Sequence, residues 1–503
     1  MQQTHSFTSL RLSSRRSKSL VRNVGLNKPM DTTGTCLLVD FGSTYTKVTA
    51  ADLEKEEIIG WTQAHTTVDT DIASGLSRAL SNLSGKYEIE ADKVDVRYAC
   101  SSAAGGLKMA AIGLVPELTL EAARRAALGA GAKVVCGHGF EIDQEIVGEI
   151  EKAKCDIILL SGGTDGGNKK TILHNAEMLA DSPIPCPILV AGNRTAAGRV
   201  KSILEKKGKT VYISRNVLPK LDVLDVEPAQ NIIRDIFIAH IIKAKGLEKV
   251  QEFVGKSIIP TPKATLQAAA LLAEGTLDEP GIGSLLAVEI GGATTNIHSV
   301  ADNIPVTLQT IIKGLPEQKL KRTVEGDLGL RYNARTIYDL AGEAVLQSEL
   351  DSLMATENAV KTDIRTYVEE ISGKVEHVPL SDIEYGLDIV LAKTAAAMAV
   401  ERHAGTVRQE YTISGETTVQ YGKNLLDIEN IIGTGGIFKH GRQPERILKA
   451  GLFDAKKPWS LKPKAPKAYI DSDYIMYGIV LLSQDFPSQA LRMAKKYLKR
   501  TNI

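Results

Sequence analysis

Aromatic residues make up only 5% of the 503 residues, too few for a base-stacking surface. The chain has no excess of charge of one sign. Its 61 basic and 60 acidic residues are mixed along its length and leave a formal net charge of +1. That balance gives no footprint for nucleic acid or an anionic membrane as the main partner. No apolar run reaches the roughly 18 to 20 residues of a membrane helix. The five cysteines, Cys36, Cys100, Cys136, Cys155 and Cys186, include no C-x-x-C spacing, so neither a zinc ribbon nor an iron–sulfur cluster within the chain is expected. They read as small core residues. An odd cysteine count without a secretion signal suits a reducing cytoplasm, the expected location. His298 and His403 lack a Cys, Asp or His at metal spacing and read as core or solvated side chains.

The first thirty residues hold Arg11, Arg15, Arg16, Lys18, Arg22 and Lys28, many serines and no acid. This composition fits either an organelle transit peptide or an overextended start with Met30 as the first residue. Both readings leave residues 1–30 outside the fold. The remainder is too long for one hydrophobic core, and two to four domains are expected.

From Thr35 the segments TCLLVDF, YTKVTAAD and EIIGWTQ read as three short strands joined by GST and LEKE. A second copy begins near Ser284 as SLLAVEI, TTNIHSVAD and IPVTLQTII. The first two strands of each copy align, LLVDFG-STYTKVTAAD over LAVEIGGATTNIHSVAD, with one extra glycine in the second. A repeat at about 250 residues is too long for a solenoid and points to a duplicated lobe. Between the copies, strands at 133–136, 156–160, 187–190 and 210–213 alternate with helices at 143–152, 168–180 and 194–207. That alternation predicts parallel βαβ units. Residues 219–282, 335–403 and 471–501 read as mostly helical.

Three glycine-containing turns carry the chemistry. A phosphate chain needs inward-pointing backbone N–H groups in a tight turn that glycine permits, with Ser/Thr hydroxyls as further donors. Asp40 closes a buried strand, where it can hold magnesium through water. Gly42, Ser43 and Thr44 form the turn, and Lys47 returns on the next strand within reach of a phosphate. Glu289, Gly291, Gly292, Thr294 and Thr295 repeat the logic, and Gly433-Thr434-Gly435-Gly436 offers a backbone platform for adenosine. Other features stay open. Ser161–Asn168 reads as a ligand loop or a tight strand-to-helix connection. Ser101–Gly106 reads as a ligand contact or a turn, and Glu325 with Asp327 as a cap or a nucleotide-side pair.

D-x-G-S-T-x-x-K, E-x-G-G-x-T-T and a late G-T-G-G resemble the phosphate-1, phosphate-2 and adenosine motifs of the actin/Hsp70/sugar-kinase superfamily. More narrowly, LLVDFGSTYTKVTAAD, ACSSAAGGLKMAAIGLVPELT, ILLSGGTDGGNKKTILHNAEMLA, ILVAGNRTA and RTVEGDLGLRYNA resemble the accessory-protein family of glutamate (methylaspartate) mutase, the MutL/GlmL type, unrelated to the mismatch-repair protein of similar name. The resemblance covers 35–503. It implies an α/β fold: a two-lobed actin-like ATPase of duplicated RNase H-like lobes with an inserted parallel α/β layer. The expected divisions are a leader at 1–34, a first lobe at 35–132, the layer at 133–215, a helical connection at 216–283 and a second lobe at 284–503. It further implies ATP and Mg2+ as cofactors, Asp40 and Glu289 as catalytic acids, and subunits of an adenosylcobalamin-dependent mutase as partner. The chain lacks a D-x-H-x-x-G cobalt-ligand loop, so it is expected to service such an enzyme and not to be one. The family pattern implies aspartate at positions 289 and 296, where this chain has Glu289 and Asn296. That departure keeps a nucleotide-binding scaffold without turnover as an alternative, beside a small-molecule kinase on the same fold.

Overall fold

The computed structural model describes residues 34–42, 45–66, 72–94, 96–101, 107–237, 248–256, 258–354, 363–412 and 415–503. The leader, Ser43, Thr44 and most of the Ser101–Gly106 turn therefore lie outside the described residues. Thr35–Phe41 pairs antiparallel with Tyr45–Asp52, placing Asp40 opposite Lys47. Tyr45–Asp52 pairs in turn with Glu57–His65. On the other side of Thr35–Phe41, Val96–Ser101 runs parallel to it, followed by the short parallel strand Ile259–Pro260.

The second sheet repeats this order. Leu285–Ile290 pairs antiparallel with Thr295–Val300, placing Glu289 opposite Asn296. Leu320–Glu325 is the third antiparallel strand, and Asn430–Thr434 and Lys467–Ile470 are the parallel pair. Each lobe thus has three antiparallel strands and two parallel ones in the same spatial order. Two expectations change here. The third strand of the second copy is Leu320–Glu325 and not IPVTLQTII. Ile311–Lys313 instead joins a separate small sheet with Thr406–Thr412 and Gly415–Tyr421. The charged string LKRTVE hides its strand because Arg322 points inward, where backbone carbonyls satisfy it. The tail also ends in a strand, Lys499–Thr501, paired with Lys467–Ile470.

The inserted layer is a five-stranded parallel sheet in the order 133–138, 108–112, 157–160, 188–190, 211–213. Its second strand in space, Lys108–Ile112, precedes the boundary drawn at 133. Helices Gln144–Lys152, Lys170–Ala180 and Arg194–Lys206 connect the strands. Asp143 and Asn193 cap two of them by accepting from the Ile146 and Thr195 amides, which answers free N–H groups at each helix start.

Strand parity decides where the acids point. Leu37, Val39 and Phe41 face one core, with helix Ile72–Tyr87. Cys36 and Leu38 face the opposite way. Likewise Leu286, Val288 and Ile290 face the second lobe's own core, and Leu285 and Ala287 face away. The residues facing away form a third core, filled by helices Thr261–Glu274 and Met476–Ser483. Met476 to Leu482 are buried all round, as expected of a helix clamped between sheets. Each such Leu or Ile contributes roughly 1.5–3 kcal/mol by burial. The next residue of that parity on each first strand is Asp40 in one lobe and Glu289 in the other. No described helix is long and apolar enough to cross a membrane.

Candidate functional site

Asp40 and Glu289 both open onto one cavity of about 600 Å3 between the lobes. In each hairpin the glycine after the strand closes the turn. Gly42 N–H donates to Tyr45 O at 3.0 Å and Gly291 N–H to Thr294 O at 2.9 Å. Gly292 and Thr294 at the second tip line the cavity, as do Lys47, Gly435 and Gly436. The fold therefore brings together Asp40, Gly42, Lys47, Glu289, Gly291, Gly292, Thr294, Gly435 and Gly436. Two sequence-predicted residues fall behind the surface. Thr295 turns its hydroxyl to Leu328 O at 2.7 Å. Gly433 sits inside its strand, where a Cβ would lie 2.3 Å from the Phe438 ring. Gly435 is different: it has φ +110°, and a Cβ there would be 2.2 Å from Ile290 O. Only glycine permits this backbone and this approach of the loop to the second hairpin's first strand.

Asp40 is 1% exposed. Its Oδ1 accepts from Thr261 Oγ1 at 2.8 Å and from Cys100 Sγ at 3.4 Å. Its Oδ2 lies 3.7 Å from Lys47 Nζ. Burial pushes the Asp40 carboxyl up, and Lys47 and the Thr261 hydroxyl pull it back. Burial pushes the Lys47 ammonium down against the pull of Asp40. Lys47 keeps 23% of its side chain exposed and stands 3.5 Å over the Tyr474 ring, a favourable cation–π position.

Glu289 is held by partners that no hydropathy pattern marks. Its Oε2 accepts from His298 Nε2 at 3.0 Å and from Asn296 Nδ2 at 3.3 Å. Asn296 Oδ1 in turn accepts from Arg322 Nη2 at 3.2 Å. Arg322 is 6% exposed, and burial pushes its guanidinium down to about 10. His298, read above as core or solvated, is a core histidine aimed at the site. Alternation along TNIHSV puts Asn296 and His298 on one face, the one signal that could have linked them. Burial pushes its imidazole down, so the neutral ring donates Nε2–H to Glu289, and Nδ1 has no described partner.

Beside the tip of the second hairpin, where its N–H donates to Gly292 O at 2.9 Å, Arg331 forms a two-pronged ion pair with Asp388 at 3.0 and 2.7 Å. Tyr367 donates to the same carboxylate at 2.9 Å. Asp388 is a lone buried acid within helix Asp382–His403, which its local sequence alone does not explain. Glu325 and Asp327 are both taken up by Arg402. The Ser161–Asn168 loop is stitched internally: Asn193 accepts from Gly166 N–H and donates to Gly167 O and Asn168 O. Its geometry is that of a tight strand-to-helix connection.

Among the described residues no three His, Cys, Asp or Glu side chains converge as a metal cage. Two carboxylates on one cavity suit magnesium, which keeps several waters and takes phosphate oxygens for the rest. Asp40 and Glu289 are the residues that would hold it. The arrangement can hold an anionic phosphate chain between two glycine turns with a hard cation at its side.

His298 and His403 set an expected pH response. Both are buried and both imidazoles are pushed down, His403 well below its ordinary value of 6.5. Below pH 6.5 the unfolded chain takes up protons there and the folded chain does not, so stability falls with falling pH. The slope approaches roughly 1.4 kcal/mol per pH unit for each fully linked histidine. Melting temperature should drop between pH 6.5 and 5.5, and less so in His403→Gln. An unchanged profile in that variant contradicts the assignment.

The fold and cleft define the class: a two-lobed α/β protein of the actin-like ATPase fold, with duplicated RNase H-like lobes and a parallel layer inserted in the first. Within that class the chain belongs to the MutL protein family, whose model matches residues 36–498. It is 46% identical over 462 residues to "Protein MutL" of Clostridium tetanomorphum, covering 92% of this chain and 98% of that one. Solved structures similar to it include a nucleotide-free acetone carboxylase, at 13% identity and TM-score 0.38, covering 89% of this chain and 70% of that one. Another is the activator of 2-hydroxyisocaproyl-CoA dehydratase from Clostridium difficile with bound ADPNP, at 10% identity and TM-score 0.31, covering 93% and 100%. The fold assignment rests on the duplicated strand order and not on these likenesses.

Proposed function

We propose that this chain binds Mg–ATP between its lobes and hydrolyses it as an accessory, reactivating chaperone of an adenosylcobalamin-dependent aminomutase of the glutamate mutase type. The observation that carries the nucleotide part is the convergence of two acid-led glycine hairpins and the Gly435 loop on one cavity. In this reading the adenosine lies against Gly435 and Gly436, and the phosphates run between the hairpins. Asp40 and Glu289 hold the magnesium with its waters, and the His298 and Asn296 contacts keep the Glu289 carboxylate in one position. Membership of the MutL family supports the partner. A chaperone releases a damaged cofactor by binding the open state of the mutase better than the closed one, and lobe closure on ATP supplies a preference that hydrolysis withdraws.

Mg–ATP is expected to raise the stability of the full chain by about 2.7 kcal/mol at a hundredfold excess over its Kd. Calorimetry and thermal melting read this directly. No heat and no shift in melting temperature with Mg–ATP would sink the nucleotide reading.

A further inference from the structure

We propose that the end of the cleft farthest from the Gly435 loop is a subsite for the terminal phosphate of a nucleoside triphosphate, and that Lys133 of the inserted layer is its cationic contact. This rests on the nucleotide reading above. The strand order sets the direction. The adenosine loop follows Asn430–Thr434, the phosphate hairpin joins the next two strands, and Leu320–Glu325 lies beyond them. At the usual spacing of about 4.8 Å, three steps put the last strand roughly 14 Å from the first. A phosphate chain that starts at the loop and passes the hairpin therefore points toward the Leu320–Glu325 strand.

The ammonium of Lys133 stands at that strand's end. An ideal Cβ built on Gly326 would lie 2.5 Å from Lys133 Cε and 2.6 Å from its Nζ. Lys133 and Gly131 line the same cavity as Asp40 and Glu289. Lys133 Nζ has no hydrogen-bond acceptor among the described residues. Its neighbour across the parallel pair is Lys108; the nearby acid, Asp327, attracts Lys133 but is itself bound by Arg402, so an anion would still be favoured beside the two lysines.

Arg322 holds this corner in register. Its Nη1 donates to Leu128 O at 2.9 Å and Ala132 O at 3.2 Å, the latter being the residue just before Lys133. Its Nη2 reaches Asn296, which bonds Glu289. The guanidinium Nε, buried at the same place, has no described partner. Lys133 and the second hairpin are thus fixed to one another through a single side chain. A triphosphate engages Lys133 with its last phosphate, whereas a diphosphate stops short of it. The layer consequently senses which nucleotide is bound.

The test is calorimetry of Mg–ATP and Mg–ADP on the full chain, with Lys133→Gln and Gly326→Ala. The first removes the charge from a half-buried side chain. The second keeps the charge and displaces it, since only the flexible end of Lys133 must give way. Each is expected to weaken Mg–ATP about tenfold and Mg–ADP less than twofold, with melting temperatures near the parent's. Equal weakening of both nucleotides, or of neither, overturns the subsite while the nucleotide reading stands. A parent chain that binds neither nucleotide overturns both.

Discussion

Asp40→Asn is expected to lower Mg–ATP turnover by roughly two to three orders of magnitude while the melting temperature stays within a few degrees of the parent's. Asparagine keeps the shape of the side chain and an oxygen that accepts from Thr261 Oγ1. What goes is the negative charge facing Lys47 and the cleft. The fold does not depend on that charge, because burial already disfavours the ionised carboxyl. Lys47 loses its partner, but it is partly exposed and rests on the Tyr474 ring, so it is not left as a stranded buried ion. The cation proposed for the site loses one of its two anchoring acids. Phosphate release, Mg–ATP calorimetry and melting on the same sample separate these effects. A variant that turns over ATP at the parent rate removes Asp40 from the metal site. A variant that unfolds shows that the acid serves the core instead.

The second expectation is larger in consequence. Purified protein with Mg–ATP and fresh adenosylcobalamin should restore an aminomutase inactivated with a damaged cobalamin, over many cycles. Moving a two-state opening from 1:99 to 99:1 needs only about 5.5 kcal/mol of differential affinity. A nonhydrolysable ATP analogue should support one release per molecule and then stall, since nothing withdraws the bound nucleotide. Repeated cycles with the analogue contradict hydrolysis-driven switching. No reactivation with either nucleotide, and no mutase retained by the immobilised chain, replaces the chaperone reading with the kinase or scaffold one.

The two hairpins are legible because their information is local. A period-two run ending in an acid, then glycine, then a second run specifies strand, turn and strand within a dozen residues. Asp40 and Glu289 also carry their direction with them, since parity with Cys36 and Leu38, or with Leu285 and Ala287, puts them on the inter-lobe face. The alternation of strands and helices after Lys133 marked the parallel layer for the same reason. Lys108–Ile112 escaped because KMAAI is short, is rich in alanine and has no β-branched residue but its last, and pairs with strands that follow it in the chain. The third strand of the second lobe escaped because a buried arginine looks like surface.

By itself, then, the sequence determined the duplicated α/β lobes, the glycine turns and the two acids, all set by backbone preferences and side-chain alternation over short spans. Only the tertiary structure decided what surrounds those acids. Thr261 reaches Asp40 across 221 residues and Arg322 reaches Leu128 across 194, separations at which nothing in local composition records a contact. His298, Asn296 and Arg322 are ordinary polar residues in their own segments. They become a network because closing the two lobes over a shared core buries them together, and a buried polar group must find its partner wherever the fold has placed one.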